Sequence, residues 1–156
     1  MIKLQDEAFD PGALLSTFCR GRAEVGAVAS FTGLARAEAG ATTILELEAY
    51  PGFTESEIAR IAEVARERFG LMDVLIVHRV GRIAPGEPIV FVAAASSHRR
   101  AAFQGCDFLM DYLKSRAPFW KKAHGPGGER WIEPTARDHA DVARWDEGRA
   151  NEEPTR

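Results

Sequence analysis

From Thr43 to Tyr50 apolar and polar side chains alternate, with Leu45, Leu47 and Ala49 on one side and Glu46 and Glu48 on the other. A period of two predicts a strand with one buried and one wet face. Pro51-Gly52 supplies a turn, and the period then becomes helical: Ile58, Ile61, Ala62, Ala65 and Phe69 recur at three- and four-residue steps until Gly70. Thr54 and Glu57 stand three apart, the spacing of a capping box, so Thr54 is expected at the N-cap. Val74 to Val80 and Ile89 to Ala95 are strand-like runs separated by Gly81 and Pro85-Gly86, which predicts a hairpin-like unit. The second run is apolar on both faces, as a central strand is. Upstream, Ala23 to Thr32 reads as a strand ended by Gly33, and residues 33–42 as a Gly/Ala-rich mobile loop with one long cation, Arg36.

Ser96-Ser97-His98-Arg99-Arg100 opens a second long helix, whose apolar stripe is Ala102, Cys106, Leu109 and Leu113, with Met110 beside it. Pro118 stops it, and Phe119-Trp120-Lys121-Lys122 leaves as an extended segment. Gly125-Pro126-Gly127-Gly128 makes a turn before a short strand from Arg130 to Glu133. Two helices with a hairpin between them fit an α+β sheet with packed helices better than a doubly wound parallel sheet. A single domain over residues 1–145 is expected, followed by a polar, disordered tail at 146–156.

Composition narrows the function. The 156 residues are 46% hydrophobic, enough for a core, and the net charge of -3 speaks against coating nucleic acid by bulk charge. No apolar run approaches the length of a membrane span, and Met1 to Glu7 lacks the apolar region of a secretory signal, so a cytoplasmic protein is expected. Cys19 and Cys106 form no CxxC pair, and His78, His98, His124 and His139 lack metal-ligand spacing. Neither a metal nor a cofactor is expected.

The charge is unevenly placed. Between His98 and Arg130 stand seven cations (Arg99, Arg100, Lys114, Arg116, Lys121, Lys122 and Arg130) against three acids, Asp107, Asp111 and Glu129. A local positive site on an acidic chain suits a small anionic ligand. The same residues also fit a solvated helix face on which Asp107 and Asp111 oppose later cations. His98 and Arg99 stand where a strand ends and a helix begins, a place where free N–H groups and the helix dipole favour an anion; His98 could equally cap the helix. Phe119 and Trp120 offer a flat wall for a heterocycle, or core packing. A lysine crowded by other cations can serve as nucleophile or proton shuttle.

Several segments together resemble the MoaE family, the large catalytic subunits of molybdopterin synthase. They are Phe31-Thr-Gly-Leu-Ala-Arg36, Glu48-Ala-Tyr-Pro-Gly-Phe-Thr54, His78-Arg-Val-Gly81, Pro85-Gly-Glu-Pro-Ile-Val-Phe-Val92, Ser97-His-Arg99, Met110-Asp-Tyr-Leu-Lys-Ser-Arg-Ala-Pro-Phe-Trp-Lys-Lys122 and Arg130-Trp131. The resemblance implies a fold of α/β-hammerhead type with a small β subdomain. It implies sulfur transfer to cyclic pyranopterin monophosphate, forming the dithiolene of molybdopterin. The sulfur donor would be a small ubiquitin-like subunit of MoaD type, whose C-terminal Gly-Gly ends as a thiocarboxylate. It also implies a homodimer of large subunits within a heterotetramer.

Residue by residue, Lys114 and Lys121 match the family's functional lysines, and His98 and Arg99 its phosphate and pterin contacts. Arg36 matches a mobile-loop arginine, and Phe31 and Met110 line the same pocket. Lys122, next to Lys121, is grouped with the substrate-binding residues. Lys114 is expected as the essential catalytic cation, acting as proton donor or acyl acceptor, and Lys121 in positioning and charge neutralisation. One departure is Ala123, where many family members carry Glu; another is the stretch beyond Trp145, which has no counterpart. The same basic cluster would also suit a non-enzymatic anion- or nucleotide-binding module, or a scaffold for a ubiquitin-like partner.

Overall fold

The computed structural model describes residues 1–37 and 43–147. Its elements are β1 (Ile2–Gln5), α1 (Pro11–Cys19), β2 (Ala27–Leu34), β3 (Ile44–Ala49), α2 (Phe53–Phe69), β4 (Asp73–Arg79), β5 (Gly81–Ile83), β6 (Pro88–Ser96), α3 (Arg99–Ser115), β7 (Phe119–Gly125), β8 (Gly128–Trp131) and α4 (Ala136–Glu147). They form an α+β fold with two four-stranded sheets, ordered β1-β4-β6-β2 and β5-β3-β7-β8. β1 runs parallel to β4, and the other pairings are antiparallel.

The first sheet is covered on both sides. Val90, Val92 and Ala94 of β6 pack with Ile58, Ile61 and Ala65 of α2 and with Leu109 and Leu113 of α3. Phe91, Ala93 and Ala95 of the same strand pack with Phe18 of α1. The apolar character of β6 on both faces follows from this central place. β4 and β6 are antiparallel neighbours, as the hairpin-like reading expects, but Gly81 (φ 79°) turns the chain between them into β5 of the second sheet. The second sheet buries one face only: Leu47 and Ile83 pack with Ala35, Ile89 and Phe119. On its other face, Glu46 and Glu129 both contact His124.

Five expectations need correction. The short strand expected from Arg130 to Glu133 is β8, Gly128–Trp131, because Gly125 pairs directly with Gly128 across a tight turn and the pairing ends at Trp131. β2 begins at Ala27 rather than Ala23: residues 22–25 form a turn closed by the Val25 N–H donating to the Arg22 carbonyl, and Gly26 then passes so close to Ser97 that a Cβ would meet its carbonyl oxygen at 2.1 Å. Nor does Gly33 end that strand; pairing continues through Leu34 with a shift in register. Thr54 is not the N-cap of α2. Gly52 holds that position with φ 75°, Glu57 pairs with Arg60, and the Thr54 hydroxyl makes tertiary bonds instead. Finally, Asp146 lies within α4, which runs across the expected boundary at residue 145. Residues 148–156 of the expected tail lie outside the described residues, as do 38–42 of the expected loop.

α4 also settles the acids of α3. Asp107 and Asp111 do not balance later cations of their own helix; Arg144 reaches them at 2.8 and 2.7 Å, and the Trp145 indole N–H donates to Asp111. Among the described residues, no helix is long and apolar enough to cross a membrane.

Candidate functional site

A cavity of about 630 Å³ opens where the C-terminal end of α3 meets both sheets. Lys114 enters it from the last turn of α3, and Lys121 from β7. The bend between them is fixed by Thr54, whose hydroxyl donates to the Pro118 carbonyl at 2.7 Å and accepts from the Tyr50 N–H at 2.8 Å. Proline breaks the helix, and the buried hydroxyl sets where the chain goes next. Phe31 from β2 and Met110 from α3 add apolar wall, and Arg36 follows β2 at the rim. Ala35 holds the base of that loop: its N–H donates to the Glu87 carbonyl at 2.9 Å, and its carbonyl accepts from the Gly86 N–H at 2.7 Å.

Strand alternation sorts the neighbours of Lys121. Phe119, Lys121 and Ala123 share the inner face of β7. Lys122 takes the outer face, where its ammonium meets Glu129 at 2.8 Å and lies over the Trp131 ring at 4.6 Å. The structure therefore does not bring Lys122 to the cavity, because consecutive strand residues point to opposite faces. Trp120 is exposed beside Trp131 on that same outer face, so of the two expected aromatic walls only Phe119 turns inward.

His98 and Arg99 lie elsewhere. With Arg100, Ser97, Gly26 and Phe103 they line an open hollow at the opposite end of α3. His98 holds the N-cap position without a side-chain capping bond. From Arg99 to Lys114 the helix advances about 22 Å at 1.5 Å per residue. One copy of the chain thus keeps its two cationic groups a helix length apart.

A half-buried lysine and a buried histidine shape the cavity electrostatics. Burial pushes the Lys121 ammonium below its ordinary range, Lys114 pushes the same way, and Asp138 opposes both. His78, at the end of β4, also lines the cavity and stacks on Phe119 at 4.3 Å. Its Nδ1 lies 2.8 Å from the Arg79 carbonyl, which can only accept, so Nδ1 carries the proton. Burial, with help from the Lys121 charge, lowers its pKa to about 4 against that bond, leaving a neutral ring with a lone pair on Nε2.

Sequence reasoning did not assign His78, Glu133 or Asp138 to the site, although all three line it. His78 stood within a family segment, and Asp138 follows Thr135 at capping-box spacing, a signal of a helix start. Cys106 is buried in α3, where its surroundings push the thiol up to about 11, and Cys19 is exposed on α1. Among the described residues, no group of three His, Cys, Asp or Glu side chains could hold a metal ion. The cavity therefore offers paired cations, a flat apolar wall and a neutral acceptor, a set suited to an anion with a ring system.

Comparison with known proteins gives a consistent picture. The family described as "MoaE protein" matches residues 4–116. The molybdopterin synthase catalytic subunit of Caulobacter vibrioides is 67% identical over 147 residues, covering 94% of this chain and 98% of that protein. The subunit of the same name from Pseudomonas aeruginosa is 47% identical over 151 residues, covering 94% and 99%. Among solved structures, a molybdopterin biosynthesis MoaE protein from Burkholderia ambifaria superposes with a TM-score of 0.81 at 44% identity, over 94% of this chain and 97% of that one. Molybdopterin synthase from Staphylococcus aureus gives 0.75 at 29% identity, over 83% and 94%.

Proposed function

This chain belongs to the MoaE family, and on that premise we propose that it is the catalytic subunit of a molybdopterin synthase, transferring sulfur to cyclic pyranopterin monophosphate. The observation that carries the proposal is the convergence of Lys114 and Lys121 in one cavity walled by Phe31 and Met110. The donor is the C-terminal thiocarboxylate of a small ubiquitin-like subunit. Its sulfur bonds to a carbon of the pterin precursor and displaces an oxygen group there, which joins the two as a thioester. Water then adds to the acyl carbonyl, whose oxygen becomes an anion before the carbon–sulfur bond breaks, leaving the sulfur on the pterin and an ordinary carboxylate on the small subunit. Ammonium groups fixed opposite that oxygen lower the barrier, because they are oriented before the charge develops. Lys114, carried on a helix anchored by Leu109 and Leu113, is the catalytic cation. Lys121 positions and neutralises the substrate, and Arg36 closes on its phosphate.

The separation along α3 bears on assembly. His98 and Arg99 contact the same substrate as Lys114 only if a second copy brings its own α3 N-terminus to this cavity. A homodimer, with one small subunit per copy, meets that requirement.

The test mixes the purified chain with the pterin precursor and the thiocarboxylated small subunit, and measures dithiolene product. Product supports the synthase. Precursor binding without turnover would indicate an anion-binding module, and partner binding alone a scaffold.

A further inference from the structure

Lys114 and Lys121 place two like charges in one partly enclosed cavity. The cost falls on Lys121, half-buried where Lys114 is exposed: burial disfavours its charged form, the second cation does the same, and a counter-charge nearby relieves both. The groups lining the cavity with them are Arg36 after β2, His78 of β4, Arg130 of β8, Glu133 in the following connection and Asp138 of α4. Asp138 shares the cavity wall with both lysines: its charge opposes the lowering of the Lys121 ammonium, and both lysines hold its own carboxyl low.

Asp138 is held there by its own helix. Its Oδ2 accepts from the Thr135 N–H and the Thr135 hydroxyl, each at 2.7 Å, and its own N–H donates to that hydroxyl oxygen at 3.2 Å. These reciprocal bonds fix the carboxylate in the first turn of α4. They also keep it ionised: the Thr135 N–H bond holds its pKa below the ordinary carboxylate value, with smaller help from Lys114 and Lys121. Across the cavity, Ala123 is buried on the same face of β7 as Lys121 and brings no charge.

We propose that Asp138, reaching the cavity from α4, is the counter-charge of the lysine pair. The inference rests on the reading of Lys114 and Lys121 as the working cations. Asp138 acts through them and is a positioning residue.

An NMR titration of the Lys121 side chain in the intact chain, without substrate, reads the effect directly. Asp138→Asn keeps an oxygen for Thr135 while removing the charge. The Lys121 midpoint should fall by at least about 0.3 pH unit, the scale of a screened charge across a shared cavity. Adding Ala123→Glu to that variant should bring the midpoint back, and Asp138→Glu should leave it in place. With partner and precursor present, the alkaline limb of the kcat profile should follow the same shifts. An unmoved midpoint in Asp138→Asn, or one that Ala123→Glu does not restore, overturns the proposal. Should Asp138→Asn fail to fold, Lys121→Gln must raise the titration midpoint of the Asp138 carboxyl, because the coupling of the two charges is reciprocal, and no rise is equally fatal. If the midpoints move as expected but no dithiolene forms, the synthase reading fails while the counter-charge stands.

Discussion

Replacing Thr54 by valine removes one hydroxyl and keeps the side chain's shape. Thr54 is fully buried, and its hydroxyl joins the Tyr50 N–H to the Pro118 carbonyl. The variant leaves both backbone groups without that partner. A buried polar group stripped of its bond costs about 1–3 kcal/mol, so the two together should cost about 2–4 kcal/mol once partial access to water is allowed. The loss falls on the bend that sets Lys121 against Lys114, so turnover should decline even where the protein remains folded. Urea denaturation measures the first effect, with an unchanged m-value showing that the folded and unfolded states are otherwise comparable. Steady-state dithiolene formation measures the second. Thr54→Ser keeps both bonds, loses one methyl, and should cost only about 1 kcal/mol. A Thr54→Val protein within about 0.5 kcal/mol of the parent, with normal turnover, would show that the bend is held by something other than this hydroxyl.

Lys114→Ala should lower kcat by at least about 100-fold, the scale of one lost transition-state donor, whereas Lys121→Ala should raise KM as well as slow turnover. Near-normal kcat for Lys114→Ala would remove it from catalysis. Arg36→Ala should weaken precursor binding by about 1–3 kcal/mol in calorimetry, and unchanged affinity would place Arg36 outside the site. His78 gives a pH signature. Its pKa is about 4 in the folded protein against 6.5 as a free side chain, so the unfolded chain binds the extra proton between those values. The stability it contributes is complete above pH 6.5 and is lost as pH falls from 6.5 towards 4, amounting at most to about 3 kcal/mol. Denaturation curves for His78→Asn should show a shallower loss over that window; an equally steep loss would place the acid sensitivity elsewhere.

The elements legible in the sequence were those whose periodicity their surroundings preserve. β3 alternates because only one of its faces is buried, and β6 is uniformly apolar because both of its faces are. The stripe of α3 and the αL glycine that ends α2 read correctly for the same local reasons. Thr54 was misread because a tertiary acceptor 64 residues away outweighs a local cap. α1 and α4 went unassigned, although Asp10 caps α1 with Pro11 at its first position and Thr135 with Asp138 opens α4. In the site, the residue types of the Lys114 to Lys121 block marked both lysines. Lys122 could be separated from them only by the faces of β7, and Asp138 only by the packing of α4 on α3 through Arg144 and Trp145.

α3 is an uninterrupted helix with the His98 end in one hollow and Lys114 in another. Its residue count is therefore a ruler. One inserted residue would displace Lys114 by about 1.5 Å along the axis and turn it by about 100° around it, out of the cavity. Gly105 tightens the constraint, because even a methyl group there would come within 2.7 Å of Leu71. The turn at 125–128 bears no such load: among its glycines, Gly127 and Gly128 have open space around them. Length variation among related chains should collect at such turns and stay out of the interval from Arg99 to Lys114, where one added or missing residue would uncouple the two ends of the helix.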